Sequence, residues 1–430
     1  MPRFAKSAAS FCAAAILLVG CARAPEPGAD PGILAEVRQI RAIDNHAHPV
    51  RPVLNGPPDR EFDALPVDNM EPASDPLVFR PNAPQVLEAD KALYGSAANK
   101  QAVMREKANA YPAWVLDQIG VETMVANRVA MGDGIEPPRF RWVPYADALI
   151  FPLDNSQLAA RNPDRKAFFA LEDGLRRRYL KEAGLEAVPP TLSEYLTRVV
   201  TPTLERQKQG GAIAEKFEAA YLRSLDFEAV DRSVAERVYA QFSRKGTPPD
   251  AEYKQLQDFL FRYIATECGR LGMAVHIHCD AGAGSYFDIA GANPLLLESV
   301  LEDRSLRQTR FVMLHGGWPF TREITALLER PNAYLDYSMQ DLVRTPTALA
   351  GDLREWLEWL PEKVMFGTDG YPYSDQLGWE ESAWIAARNG REALAIALTG
   401  MLRDGEISRE RAGELARMVL RENARKLYGL

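Results

Sequence analysis

Eight short β-rich runs, separated by longer stretches of helical periodicity, constrain this chain more than any other feature. They are "RAIDNH" (41–46), "VETMVANRVA" (121–130), "RFRWVPYADA" (139–148), "AIAEKF" (212–217), "MAVHIHCD" (273–280), "RFVMLHGG" (310–317), "AYLDYSM" (333–339) and "KVMFGTDG" (363–370). Strands that alternate with helices build a parallel sheet, and eight such units suffice to close it into a barrel. The helical pattern is plainest in "DFLFRYIATECGRLG" (258–272), "PLLLESVLEDR" (294–304), "TREITALLERP" (321–331) and "LREWLEWLP" (353–361), each apolar at helical spacing and closed by Gly, Pro or a charged turn. Trp356 and Trp359 in the last of these read as one core-facing stripe. The expected fold is α/β, a single (β/α)8 TIM barrel.

Two stretches break the regular alternation. Residues 49–110 are rich in Pro and polar residues, as in "RPVLNGPPDREFDALP", and residues 150–210 contain "LEDGLRRRYLKEAG" and "LSEYLTRVVTPTLERQ". They read as helical insertions after strands 1 and 3, on the loops where barrels bind substrates, and a lid is one use for them.

The amino-terminal residues follow other rules. "MPRFAK" is basic, "FCAAAILLVG" is an apolar run too short to span a bilayer, and Cys21 follows a small residue. Residues 1–20 therefore read as a signal peptide, with Leu18-Val19-Gly20-Cys21 resembling the lipobox of bacterial lipoproteins and Cys21 as the lipidation site. Residues 21–32 then form a Pro/Gly tether, and residues 33–430 the barrel. This implies export, a lipid anchor at Cys21 and a chain that faces the periplasm. Loss of Arg3 and Lys6 with the signal lowers the net charge from −8 by two, to −10, and the acidic balance argues against nucleic acid as a partner. Cys268 and Cys279 remain, and they are read as free and buried. With 47% hydrophobic residues the chain has ample material for one large core.

Only five histidines occur: His46, His48, His276, His278 and His315, all in or at the end of predicted strands. Strand residues two apart share a face, so His46 projects with His48, and His276 with His278. Paired imidazoles suit a borderline-soft divalent ion, zinc by ligand type, with one position left for water. A lone His-X-His carries little weight, because a carbonyl can satisfy a buried imidazole. The convergence of His46, His48, His278 and His315 on the C-terminal ends of barrel strands carries more. His276 lies two residues deeper, where packing behind the site is as good a reading as ligation. Asp369 in "MFGTDG" stands at the end of the last strand as ligand or proton acceptor, though Asp-Gly is also a common turn.

These residues together resemble the amidohydrolase superfamily of metal-dependent barrels, in its FluG-type or "amidohydrolase 2" branch. The segments that carry the resemblance are "IDNHAHPV", "EKFEAAYLRSLDF", "VHIHCDAGAGSYFDIAGANPLLLESVL", "FVMLHGGWPFTREITALLERPNAYLDYS" and "LPEKVMFGTDGYP", densest over residues 273–375. It implies His46, His48, His278, His315 and Asp369 as ligands of one or two divalent ions, with Asp369 as general base and His315 or the metal stabilising an oxyanion. It further implies that Lys216, at the end of the fourth strand, bridges two ions as a carbamate, since an ordinary lysine, with a pKa of about 10.4, is a cation and no ligand. "AEKFEAAYLRSL" reads equally as helix, which would leave Lys216 on a solvated surface. Tyr221 and Arg223 are candidate contacts for a substrate carboxylate, or a packed ring and a helix surface charge. The activity implied is hydrolysis of a small amide, peptide-like, ester or lactone substrate. Alternatives are metal-dependent decarboxylation of an unsaturated or aromatic acid, and a non-catalytic anchored solute-binding protein.

Overall fold

The computed structural model describes residues 28–54, 56–66 and 76–430. The signal peptide and the lipidation site at Cys21 lie outside the described residues. The first helix, Pro31–Gln39, is capped by the Asp30 carboxylate, which accepts from the Gly32 and Ile33 amides, so it takes in the last two residues of the expected tether.

All eight expected strands form: β1 Ala42–Ala47, β2 Val121–Asn127, β3 Phe140–Val143, β4 Ala214–Phe217, β5 Ala274–His278, β6 Arg310–Leu314, β7 Ala333–Asp336 and β8 Val364–Met365. They pair in parallel and in chain order, β1 to β3 in one run and β4 to β8 in another. Backbone bonds bridge both seams. The Lys216 amide donates to Pro144 O (2.7 Å) and the Ala146 amide to Lys216 O (2.9 Å), while the Asn45 amide donates to Phe366 O (2.9 Å) and the Asp369 amide to His46 O (2.8 Å). The eight strands thus run in one cyclic order, the TIM barrel expected. β1, β4 and β5 are buried along their whole length, with helices covering one face and the barrel interior the other.

The insertions fall where expected. Helices Pro84–Tyr94, Lys100–Lys107 and Tyr111–Gln118 follow β1, and helices Pro163–Glu182 and Thr201–Gln209 follow β3. The long helix Asp250–Leu271 ends at Gly272, whose left-handed φ of 67° turns the chain into β5 at no Cβ cost. Cys268 and Cys279 are free and buried, as read.

Inside the barrel Ile43, Val125, Val143, Ala214, Ala274, Val312 and Met365 pack together with Ala424 and Leu427 from the helix Asn423–Tyr428. That helix therefore fills the floor of the barrel, opposite the strand ends that carry the histidines.

The tryptophan stripe needs correction. Trp356 is fully buried, its indole N–H donates to Thr321 O (3.0 Å), and its ring lies where a Cβ on Gly316 would sit, 2.7 Å away. Trp359 is 58% exposed. It is the last residue of the helix Pro346–Trp359, nearly one turn beyond Trp356 at the helix end. Trp356→Ala should cost about 3–5 kcal/mol in denaturant unfolding, whereas Trp359→Ala should stay within about 0.5 kcal/mol of the parent.

Candidate metal centre

The predicted site residues arrive at one end of the barrel from separate strands. His46 lies in β1, His48 one residue beyond it, His278 ends β5 and His315 follows β6 directly. The His46 and His48 rings stand edge to face with centroids 5.0 Å apart; His315 is 5.0 Å from His46 and 4.7 Å from His278. Asp369 Oδ1 lies 3.1 Å from His46 Nε2 and 3.5 Å from His48 Nε2. Donor atoms of His46, His315 and Asp369 all fall within 4.8 Å of one another, the tightest set among the described residues. His315 (φ 66°), Met339 (φ 64°) and Asp369 (φ 50°) line the same cavity in left-handed backbone that side chains disfavour. Non-glycine residues held this way cluster at sites where side-chain direction matters.

The cavity is about 60 Å³, room for an ion and one or two waters at about 30 Å³ each. Two of its imidazoles, His48 and His315, are held in the tautomer that ligation through Nε2 needs. His48 Nδ1 lies 3.1 Å from Phe62 O, which can only accept, so the ring proton is on Nδ1 and Nε2 keeps its lone pair. Ser338 gives its hydroxyl proton to Asp336 Oδ1 (2.6 Å), so its oxygen accepts from His315 Nδ1 (2.9 Å) and again Nε2 is free. His46 is different: the Asn127 Nδ2 amide donates to its Nδ1 (2.6 Å), so this contact does not hold the ring proton on Nδ1. His46 Nε2 and His278 Nε2 are buried without a hydrogen-bond partner. Such an atom costs about 1–3 kcal/mol when nothing pairs with it, and a divalent cation would satisfy both. The residues present therefore fit a metal.

Charge follows the same logic. Burial, reinforced by the Lys216 ammonium, holds His46 and His278 well below the usual imidazole range and lowers His48 to about 4. Burial and the neighbouring His278 do the same for His315. Neutral imidazole is the ligating form. Burial pushes the Asp369 carboxyl up to about 7 against the pull of Lys216.

Lys216 is on strand, not helix: it is buried in β4 beside His276 of β5, lines the cavity, and has its ammonium 4.0 Å from Glu218 Oε1. His276 turns away from the cavity, with Nε2 2.6 Å from the Tyr428 hydroxyl. Tyr221 lines the cavity, its ring 4.8 Å from that of His278. Arg223 is a correction. Its guanidinium is buried against Asp258 (2.6 Å), Gln257 (2.9 Å) and the carbonyls of Ser224 and Asp226, which leaves no fork for a substrate carboxylate. A two-residue step along the turn after β4 separates the two outcomes, and only packing chooses between them.

Sequence reasoning missed several cavity residues: Asp63, Glu218, Asp280, Met339, Tyr371 and Tyr373. Tyr373 donates to Asp369 Oδ2 (3.4 Å) and Asp63 lies 3.9 Å from His48 Nδ1. The alternation Asp369, Tyr371, Tyr373 was a usable signal for the last two. Asp63 comes from the first insertion, where no periodicity pointed inward.

Known proteins bear this out at the level of family. Residues 151–430 match the amidohydrolase family. A stretch of 222 residues, 49% of this chain, is 28% identical to protein fluG of Emericella nidulans, and the match takes in only 25% of that protein. A Lactobacillus casei ATCC 334 protein, provisionally assigned as a metal-dependent hydrolase, superposes with a TM-score of 0.64 at 17% identity over 92% of this chain and 97% of its own. The glucuronate isomerase of Caulobacter crescentus gives 0.61 at 13% identity, over 93% of each chain. The uronate isomerase of Thermotoga maritima gives 0.58 at 13% identity, over 92% of this chain and 96% of its own. These likenesses show a shared barrel fold.

The raised Asp369 carboxyl gives the centre a pH signature. Below pH 7 an incoming ion must displace the Asp369 proton, whereas the neutral histidines release none. In weakly buffered zinc titrations at pH 6, the wild type should release about one proton more per ion than Asp369→Asn, and at pH 8.5 the difference should vanish. With four imidazoles and a carboxylate converging at the mouth of this barrel and residues 151–430 matching the family, the chain belongs to the amidohydrolases.

Proposed function

We propose that the protein is a metal-dependent hydrolase of a small amide, peptide-like, ester or lactone substrate. The observation that carries this reading is the pair of buried, partnerless Nε2 atoms of His46 and His278 beside a carboxyl poised near neutrality. A bound divalent ion, zinc by the donor set, supplies Lewis acidity and acidifies water. His46, His48, His278, His315 and Asp369 would hold it. Lys216, buried in the same wall, would add an anionic ligand for a second ion in its carbamate form.

The chain's own residues do the rest. Asp369 takes the proton of the attacking water on its carboxylate and returns it to the leaving group. His315 is not an oxyanion donor, because Ser338 holds its proton on Nδ1; it serves as ligand. Burial keeps Tyr221 protonated, so its hydroxyl is the donor available to a developing oxyanion, whereas Tyr373 spends its proton on Asp369. Among the described lining residues the only cation is Lys216, and Arg223 is committed elsewhere. Asp63, Glu218 and Asp280 line the same cavity, and burial holds the Glu218 and Asp280 carboxyls well above the usual carboxylate range. We also propose an envelope anchor at Cys21, which rests on residues 1–21 of the sequence.

The test is metal analysis of purified protein joined to an amide, peptide and lactone panel. A chelator should abolish turnover reversibly, and Asp369→Asn should lower kcat by at least about 100-fold. Carbon dioxide release without water incorporation, or full activity in the Asn variant, would overturn the reading.

A further inference from the structure

A continuous line of buried hydrogen bonds runs from the floor of the barrel to the metal centre. It begins at Tyr428, on the helix Asn423–Tyr428 that fills the floor. The Tyr428 hydroxyl donates to Asn45 Oδ1 (2.6 Å) and lies 2.6 Å from His276 Nε2. Asn45 Nδ2 donates to Asp336 Oδ2 (2.6 Å), and the other Asp336 oxygen accepts from the Ser338 hydroxyl (2.6 Å) and the His315 amide (3.0 Å). Ser338 Oγ in turn meets His315 Nδ1 (2.9 Å).

Each hydroxyl has one proton, which fixes the direction of every bond in the line. Tyr428 spends its proton on Asn45, so His276 must donate Nε2–H to the phenol oxygen. Asn45 then presents its oxygen to the floor and its NH₂ to Asp336. Asp336, supplied with donors, draws the Ser338 proton to itself. Ser338 can only accept from His315, whose proton stays on Nδ1.

We infer that Tyr428 is a positioning residue for the metal centre, acting through Asn45, Asp336 and Ser338 to hold His315 in the tautomer and orientation that leave Nε2 free to ligate. Without the phenol hydroxyl, Asn45 Oδ1 and His276 Nε2 both lose their partner. The Asn45 amide is then free to turn end for end, which sets its oxygen against the Asp336 carboxylate. Ser338 can relax with it and give its proton to His315 Nδ1, which moves the imidazole proton to Nε2 and blocks ligation. The inference rests on reading the cavity as a metal centre. Groups that tune ligands from behind affect metal affinity by about 10- to 100-fold, and Tyr428 stands three residues back along the line, so the lower end applies.

Zinc affinity, measured by competition with a chromogenic chelator, tests this without any substrate. Tyr428→Phe keeps the ring that plugs the floor and removes only the hydroxyl; it should weaken zinc binding by about tenfold, and Ser338→Ala, next to the ligand, by at least as much. Tyr334→Phe, which removes a hydroxyl from the same floor cluster, should leave affinity unchanged. Cobalt-substituted protein should show an altered visible spectrum in Tyr428→Phe and the parent spectrum in Tyr334→Phe. Wild-type affinity and spectrum in Tyr428→Phe, or a lowered melting temperature of the metal-free form with unchanged affinity, would overturn the inference and leave the hydrolase reading standing. Loss of affinity in both tyrosine variants would reduce Tyr428 to floor packing and overturn it as well. A wild type that binds no zinc would overturn both.

Discussion

Imidazole nitrogens buried without a partner are the constraint on which the rest of this structure depends. His46 Nε2 and His278 Nε2 sit in a cavity that excludes most water, and no described side chain donates to them. Burial makes protonation unfavourable, so the rings remain neutral. A fold tolerates that cost where a cation offsets it. The other side of each ring is then specified: Phe62 O behind His48, Asn127 behind His46, and Ser338 behind His315.

The barrel supplies what such a centre requires. Four histidines come from the ends of β1, β5 and β6, the last two hydrogen-bonded neighbours, and Asp369 is tied across the β8/β1 seam by its amide to His46 O. Closing the sheet therefore also brings the carboxylate to the histidines. The left-handed backbone at His315, Met339 and Asp369 turns these side chains into the cavity where an extended strand would direct them elsewhere. Below them, the helix Asn423–Tyr428 seals the floor with Ala424 and Leu427 and sends a hydroxyl into the polar layer above.

Much of this was legible in the sequence. Strand period placed His46 with His48, and the order of eight runs placed His278, His315 and Asp369 at the same end. The insertions after the first and third strands were marked by their breaks in periodicity. Three readings failed or stayed open for one shared reason. Lys216 was ambiguous because four residues of "AEKF" carry too little period to tell strand from helix, and only pairing with His276 decides it. Arg223 faced Asp258 instead of the cavity, and Trp359 faced solvent, because neighbours distant in sequence set both directions.

The sequence by itself determined the architecture and the candidate ligand residues, because both are written in local period and in residue types scarce enough to count: five histidines in 430 residues. Tertiary structure alone decided the cavity's second half, namely Asp63 from an insertion, the tyrosines beyond β8, and the line from Tyr428 to His315. Those contacts join residues as much as 383 positions apart, Asn45 to Tyr428 being the longest in the line. No local pattern encodes such a pair, since it exists only when the sheet has closed and the last helix has filled its floor.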